Sequence, residues 1–223
     1  MKKNKNHIGI DISKLSFDVA IKNENDKYLH FKFSNDSKGF TEFINLLDQN
    51  FSICVMEASG PYYLKLATYL FNKKVSVCVI NPLVIRRFSQ MRMSRTKTDK
   101  KDAVIIAEYG KTEKPNLWEP EADYVLEIKQ MQAFVEQMNK SRTGFIRQRE
   151  AFKHNTVEAF VLNESLEKMI NLIEPEIALI EDKMIAIIHH HHNQLFKQLQ
   201  SIPGIGRKTA MLLIVISGGF TKF

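Results

Sequence analysis

The chain has 223 residues and a formal net charge of +7 at pH 7, and no apolar run in it is long enough to span a membrane. This length allows one large domain or two small ones with a hydrophobic core, and the basic balance favours a polyanionic partner. The N-terminus lacks a secretory apolar segment, and Cys54 and Cys78 lie in apolar runs typical of reduced core residues, so we expect a cytoplasmic protein.

The first half of the chain alternates between apolar runs and polar breaks. Three short strands with tight connections predict an antiparallel meander, and two later apolar strands separated by a helix predict a parallel pair. The predicted elements are strands 7–12, 15–21 and 28–33, helix 35–48, strand 51–56, helix 62–72, strand 75–80, a basic loop to residue 95 and a helix to about residue 109. This order matches an α/β domain with the ribonuclease-H-like fold over residues 1–115.

The pattern of apolar residues changes in the second half of the chain, from about residue 123. Apolar residues recur at helical spacing over two long segments, so residues 116–198 are expected to form a helical hairpin or coiled-coil arm. Pro175 predicts a helix start or a kink, and the run of four histidines at 189–192 predicts a solvated helix end. Because two helices alone bury little apolar surface, we expect a homodimer through this region.

Residues 199–223 contain a glycine-rich turn followed by a helix. Gly204 and Gly206, with Arg207 and Lys208 behind them, resemble half of a helix–hairpin–helix, in which backbone N–H groups bind a DNA phosphate. An ordinary helix start is the alternative. Because the sequence stops shortly after this helix, we expect a C-terminally truncated chain that carries only the start of a domain.

Four carboxylates occupy positions that suit a metal site. Asp11 and Glu57 end the first and fourth strands, which are neighbours in a ribonuclease-H-like sheet, while Asp99 and Asp102 lie one turn apart on the following helix. Taken alone, that helix start is explained by an N-cap and solvated lysines. Acids from three elements at one edge favour Mg²⁺ or Mn²⁺ and phosphodiester chemistry. Two other acids rank lower: Asp18, because it lies in the middle of a strand, and Glu108, because it lies two turns along the helix.

Cations cluster around the acidic pair and suit a phosphate backbone, although a solvated loop would have the same composition. These residues are Arg86, Arg87, Arg92, Arg95, Lys97, Lys100 and Lys101. Together with Gly204, Gly206, Arg207 and Lys208, they form the predicted nucleic-acid-binding set.

Three motifs, at residues 9–14, 56–62 and 97–103, resemble those of the DEDD-type insertion-sequence transposases, whose N-terminal domain is similar to the RuvC junction resolvases. Residues 202–206 resemble the opening of the same family's C-terminal transposase domain. The resemblance implies a DNA transposase or recombinase whose metal-dependent tetrad falls on Asp11, Glu57, Asp99 and Asp102. It also implies a nucleophilic serine in the C-terminal domain, which Ser217 does not match, and in some members a structured guide RNA.

Two further functions are compatible with these motifs. One is a RuvC-like endonuclease that cleaves four-way junctions with the tetrad alone, and the other is a truncated, non-catalytic nucleic-acid-binding regulator. A sugar or acetate kinase-type ATPase is disfavoured because no later glycine loop suits a nucleotide phosphate. The expected partners are DNA, a guide RNA and a second copy of the chain, with tetramers on DNA as a further expectation, in the nucleoid region of a prokaryotic cytoplasm.

Overall fold

The computed structural model describes residues 6–48, 50–92, 99–155 and 160–220, without the side chains of Asp99 and Lys100. Within these ranges there are five strands and seven helices. They are β1 (Asn6–Ile12), β2 (Ser16–Lys22), β3 (Tyr28–Ser34), α1 (Ser37–Ile44), β4 (Ser52–Glu57), α2 (Tyr63–Asn72), β5 (Ser76–Ile80), α3 (Pro82–Met91), α4 (Asp99–Glu113), α5 (Asp123–Phe152), α6 (Phe160–Gln200) and α7 (Arg207–Ser217). The chain divides into two units, Met1–Pro120 and Glu121–Phe223, while the domain limits predicted at residues 115 and 198 stay predictions.

The first unit is built on a mixed sheet with the strand order β3-β2-β1-β4-β5. The strands β1, β2 and β3 form an antiparallel meander, whereas β4 lies parallel to both β1 and β5. The predicted meander and the predicted parallel pair are therefore confirmed. This mixed α/β architecture is compatible with a ribonuclease-H-like transposase domain.

The sheet has two different faces because successive side chains of a strand point in opposite directions. One face carries the main core, where Ile10 and Met56 are fully buried with residues of α1 and α2. The other face carries Val55, Cys78 and Ile80, which pack with Ile85 of α3 and Ile106 of α4. All residues of β1 with odd numbers, including Asp11, belong to this second face.

Two local features of this unit agree with the sequence. The carboxylate of Asp36 accepts hydrogen bonds from the backbone N–H groups of Lys38 and Gly39, which confirms the predicted cap of α1. Both cysteines are free and buried. Burial raises the pKa of the Cys78 thiol to about 11 and also raises the pKa of Cys54, so both are neutral, unreactive core thiols at neutral pH.

The segment predicted as a basic loop is largely a helix, and this prediction was wrong for residues 82–91. The side chain of Asn81 accepts a hydrogen bond from the Leu83 N–H at 2.8 Å, and Pro82 occupies the first helical turn. Ile85 and Phe88, three positions apart, bury one face of α3. The dipeptide Asn81–Pro82 thus both ends β5 and begins α3.

The second unit consists of α5, α6 and α7 around a shared apolar seam. Ile128 of α5, Met184 and Phe196 of α6 and Met211 of α7 are buried in it. Pro175 does not begin a helix, because α6 continues through it. None of the helices in the described residues is long and apolar enough to cross a membrane.

The backbone of α6 leaves helical geometry at His192, within the histidine run. The Tyr124 hydroxyl lies 2.7 Å from Nε2 of His192, and the Tyr124 ring stacks on His191 at 4.1 Å between centroids. The histidines therefore lie at a kink inside α6. The prediction that they form a helix end was wrong.

Candidate active site

Asp11 and Glu57 lie side by side at one edge of the sheet. In the parallel β1–β4 pair, Ile10 is opposite Met56, so the next residues along both strands are the two acids. Both are half-buried and point to the face opposite the main core. The Ser59 hydroxyl donates a hydrogen bond to Oε1 of Glu57 at 3.0 Å.

Helix α4 crosses this face directly over β1. A Cβ atom on Gly9 would lie 1.9 Å from the Ala103 carbonyl oxygen, and one on Gly110 would lie 2.5 Å from Cγ2 of Val55 and 3.3 Å from the His7 ring. The late part of α4 is thus near the start of β1, and α4 runs against the direction of the strand. Its first turn therefore lies toward the Asp11 end of β1.

Asp102 belongs to this first turn and is half-buried. The Asp99 backbone begins α4, but its side chain is outside the description. Among the described side chains, no three histidine, cysteine, aspartate or glutamate residues are close enough to hold a metal ion. Asp11, Glu57 and Asp102 nevertheless supply the carboxylate oxygens that hard divalent cations bind, and all three lie toward one end of the sheet. By donor chemistry, these residues fit such an ion.

A further acid joins this edge, and sequence reasoning ranked it low. In the antiparallel β1–β2 pair Asp18 is directly opposite Asp11, and in the β2–β3 pair Lys32 is opposite Asp18. Lys32 Nζ lies 3.3 Å from Oδ2 of Asp18, whose side chain is only 13% exposed. Lys32, Asp18, Asp11 and Glu57 thus form a transverse line across four strands, which we name the carboxylate row.

Asp18 could have been found from the register. The connection between β1 and β2 is short, with the Ser13 N–H donating to the Ser16 carbonyl at 2.9 Å. Such a tight connection fixes which residues face each other, and counting back from it pairs Asp18 with Asp11. A central strand position therefore does not keep Asp18 away from Asp11.

The loops that follow the two acid-bearing strands share one side-chain bridge. The Asn35 amide Nδ2 lies 3.0 Å from the Ser13 carbonyl oxygen and 3.2 Å from the Tyr62 carbonyl oxygen, and donates to both. One contact is beyond β1, and the other is beyond β4. Asn35 therefore ties together the two chain segments that lead away from Asp11 and Glu57.

The predicted nucleic-acid-binding cations of the first unit have different surroundings. Arg86 and Arg87 are exposed on α3, and Arg87 donates to the Gln90 side chain at 3.2 Å. Arg92 forms a 2.9 Å ion pair with Glu108 of α4, so its charge is already partly neutralised. Lys101 is exposed in the first turn of α4. Arg95, Lys97 and the Lys100 side chain lie outside the described residues.

The glycine-rich turn of the second unit is open. Gly204 has φ +89°, and a Cβ atom on Gly204 or Gly206 would meet nothing within 4 Å. Gly206 caps α7, so the first N–H groups of that helix follow the open turn. The two cations behind it are paired with acids of α6, Arg207 with Asp182 at 3.6 Å and Lys208 with Glu181 at 2.6 Å.

Known proteins resemble the chain over most of its length. The IS110-type DEDD family model, described as a transposase, matches residues 8–152, from β1 to the end of α5. Pilin gene-inverting proteins of Moraxella lacunata and Moraxella bovis are each 30% identical over 234 aligned positions, which cover 98% of this chain and 68% of each relative. The resemblance drawn from the three motifs is therefore confirmed, and the chain belongs to the IS110-type family of DNA transposases.

Proposed function

We propose that the chain is the recombinase of a mobile insertion sequence and that it acts on DNA phosphodiesters through Asp11, Glu57, Asp99 and Asp102. The observation that carries this proposal is the β1–β4 register, which sets Asp11 beside Glu57 on the face crossed by α4. Membership of a transposase family supports DNA recombination as the overall process. The relatives named for pilin gene inversion support the same class of reaction.

Members of this family generally use divalent metal ions, and we propose Mg²⁺ or Mn²⁺ for this chain. When bound, such ions would activate the attacking oxygen and stabilise the leaving oxygen of the phosphodiester. The protein's own part is to hold the carboxylates. Asp11 is fixed by its pairing with β2, Glu57 by its pairing with β5, and Asp102 by a helix packed closely on Gly9. This rigid support favours a single arrangement of the oxygen ligands.

We propose that DNA approaches along the cationic elements near this edge. Arg86 and Arg87 on the exposed side of α3, with Lys101, offer charges to phosphates. In the second unit, the open turn at Gly204 and Gly206 gives a phosphate close access to backbone N–H groups. A structured guide RNA and a nucleophilic serine in a further C-terminal segment stay predictions from the family resemblance. The proposed place of action is DNA in a prokaryotic cytoplasm.

We further propose that the chain forms a homodimer through α6, with tetramers on DNA. Helix α6 already buries one apolar face against α5 and α7, yet a second stripe of large apolar side chains is exposed beside it. The stripe consists of Leu162, Met169, Leu172 and Leu179, which are 48–66% exposed. Their separations of seven, three and seven residues follow the heptad pattern of a coiled coil, so a second α6 helix fits this stripe.

Calorimetric titration with Mn²⁺ tests the metal role. We expect the Asp11→Asn and Asp102→Asn variants each to weaken binding by about a hundredfold, since even supporting groups of a metal site matter tenfold or more. Asp26→Asn is the matched control. Asp26 comes after the last residue of β2, whereas Asp18, the residue of β2 that is opposite Asp11, lies in the first half of this strand. The Asp26 carboxylate pairs with Lys22. Equal binding by wild type and both variants, or no binding by the wild type with or without DNA, would contradict the metal role.

A strand-exchange assay on DNA that carries the element ends, run with the substitutions in a protein that includes the predicted serine, tests the reaction class. Both variants should abolish joined products while the far-UV circular dichroism spectrum stays unchanged. Cleavage of four-way junctions by the wild type without any joined product would instead support a junction endonuclease. DNA binding without cleavage or joining would support a regulator.

A further inference from the structure

The carboxylate row contains a charge pair that the proposed tetrad does not use. Asp18 and Asp11 are directly opposed across an antiparallel pair, where side chains of opposed residues lie on the same face, about 5 Å apart at their Cβ atoms. The next residue of the row on β3, Lys32, holds Asp18 in an ion pair at 3.3 Å. Asp18, the acid of this ion pair, is therefore beside Asp11, which is a proposed metal ligand.

Like charges directly opposed on neighbouring strands destabilise a sheet. Asp18, Asp11 and Glu57 would bring three carboxylates together on adjacent strands if nothing compensated them. The Asp18 carboxylate is mostly enclosed, with 13% exposure, so water screens it poorly, while Lys32 is 59% exposed and reaches it from the edge of the sheet. The ammonium group of Lys32 thus compensates the charge of Asp18, the carboxylate nearest the β3 edge of the row.

We propose that Asp18 and Lys32 are positioning residues that set the charge beside Asp11, so that the metal is bound by the tetrad and not drawn toward β2. In this proposal Asp18 is not itself a metal ligand, and its carboxylate forms an ion pair with Lys32. This inference rests on the proposed metal role of Asp11. Its signature is compensation: either charge alone disturbs metal binding, and removing both restores it.

Mn²⁺ titration by calorimetry on the full chain tests the pair. Asp18→Asn leaves an uncompensated ammonium near the site, and we expect about tenfold weaker binding. Lys32→Met leaves an uncompensated carboxylate there, and we expect about tenfold tighter binding with a second, weaker site. The Asp18→Asn/Lys32→Met double variant should return to within about twofold of wild type. Lys32→Arg, which keeps the charge, should bind as the wild type does.

The chain offers a matched control on the same strand. Lys22 and Asp26 form a comparable ion pair at 2.8 Å toward the other end of β2, so Lys22→Met and Asp26→Asn should leave Mn²⁺ affinity unchanged. Circular dichroism and the thermal midpoint check that every variant is folded.

Three outcomes would overturn the inference, and they differ in what they imply. Unchanged affinity in both single variants, with the wild type binding Mn²⁺, would show that the pair is only structural. Equal loss in Asp18→Asn and in the double variant would make Asp18 a direct ligand. A wild type that binds no Mn²⁺ while Asp11 is intact would overturn the proposed metal role together with this inference.

Discussion

The two units of the chain bury their apolar side chains in different ways. In the first unit helices cover both faces of one sheet, and Leu66, Leu70 and Ile106 are each fully buried. In the second unit α5, α6 and α7 close around a seam that contains Ile128 and Met184, yet the stripe of α6 remains exposed. Both units expose some large apolar side chains, such as Leu15 and Leu83 in the sheet unit, but those on α6 lie in a stripe at heptad spacing.

The units also handle charge differently. The sheet unit gathers acids of several strands in one row, although opposed like charges cost stability. The helical unit pairs its cations near the glycine turn with acids of α6. Residues that lower the stability of a fold although the core beside them is well packed are typical of a functional site. The contrast supports the proposals that the chemistry belongs to the sheet and assembly to the helices.

The largest effect is expected where α4 contacts β1. Gly9→Ala adds a Cβ atom that would lie 1.9 Å from the Ala103 carbonyl and 2.4 Å from the Ala107 nitrogen, both backbone atoms that cannot rotate away. We expect a loss of about 3 kcal/mol or more in the free energy of unfolding, measured by urea denaturation. Because α4 must move, the position of Asp102 relative to β1 should also change, and Mn²⁺ binding should weaken.

The same substitution in the helical unit should have the opposite sign. Gly144 lies in the interior of α5, and a Cβ atom there would meet nothing within 4 Å. Gly144→Ala should therefore stabilise the chain by about 0.5–1 kcal/mol through helix propensity alone. If Gly9→Ala were as well tolerated as Gly144→Ala, the close packing of α4 on β1 would be wrong.

Much of the fold could be predicted from the sequence, since strand alternation, the Asp36 cap and helical periodicity are local signals. The part that failed depended on competition between signals. Asn81 and Pro82 were interpreted only as the end of a strand, although the same residues begin α3. The place of Asp18 opposite Asp11 was not predicted, because sequence position hides the cross-strand partner. Proline disfavours the interior of a helix, and yet α6 continues through Pro175.

The exposed stripe of α6 gives a further prediction. Leu172 is 66% exposed, so Leu172→Glu costs the monomer little, but it places a charge within a proposed apolar interface. We expect the dimer dissociation constant, measured by sedimentation velocity over a concentration series, to rise more than about tenfold. Leu46→Glu, at a site 49% exposed in the sheet unit, should leave it unchanged. A wild type that stays monomeric at every concentration would refute the coiled-coil interface.

The smallest effect concerns the cap of α1 and its dependence on pH. The pKa of Asp36 is held below its ordinary value of 3.8, first by the hydrogen bond from the Gly39 N–H and then by that from the Ser34 hydroxyl. The folded state therefore binds this proton less tightly than the unfolded state does. The stabilisation by ionised Asp36 is complete above the ordinary pKa and is lost as the pH falls through the lowered one.

Asp36→Asn isolates this effect, because asparagine still caps a helix but does not titrate between pH 2 and 7. The difference in thermal midpoint between wild type and variant should stay constant from about pH 7 to 5 and then shift in favour of the variant below about pH 4. The shift should be small, since the carboxylate is at the surface and salt screens it. A difference that is flat down to pH 2.5 would mean that the cap does not depend on charge. A shift that begins near neutral pH would point to another group than Asp36.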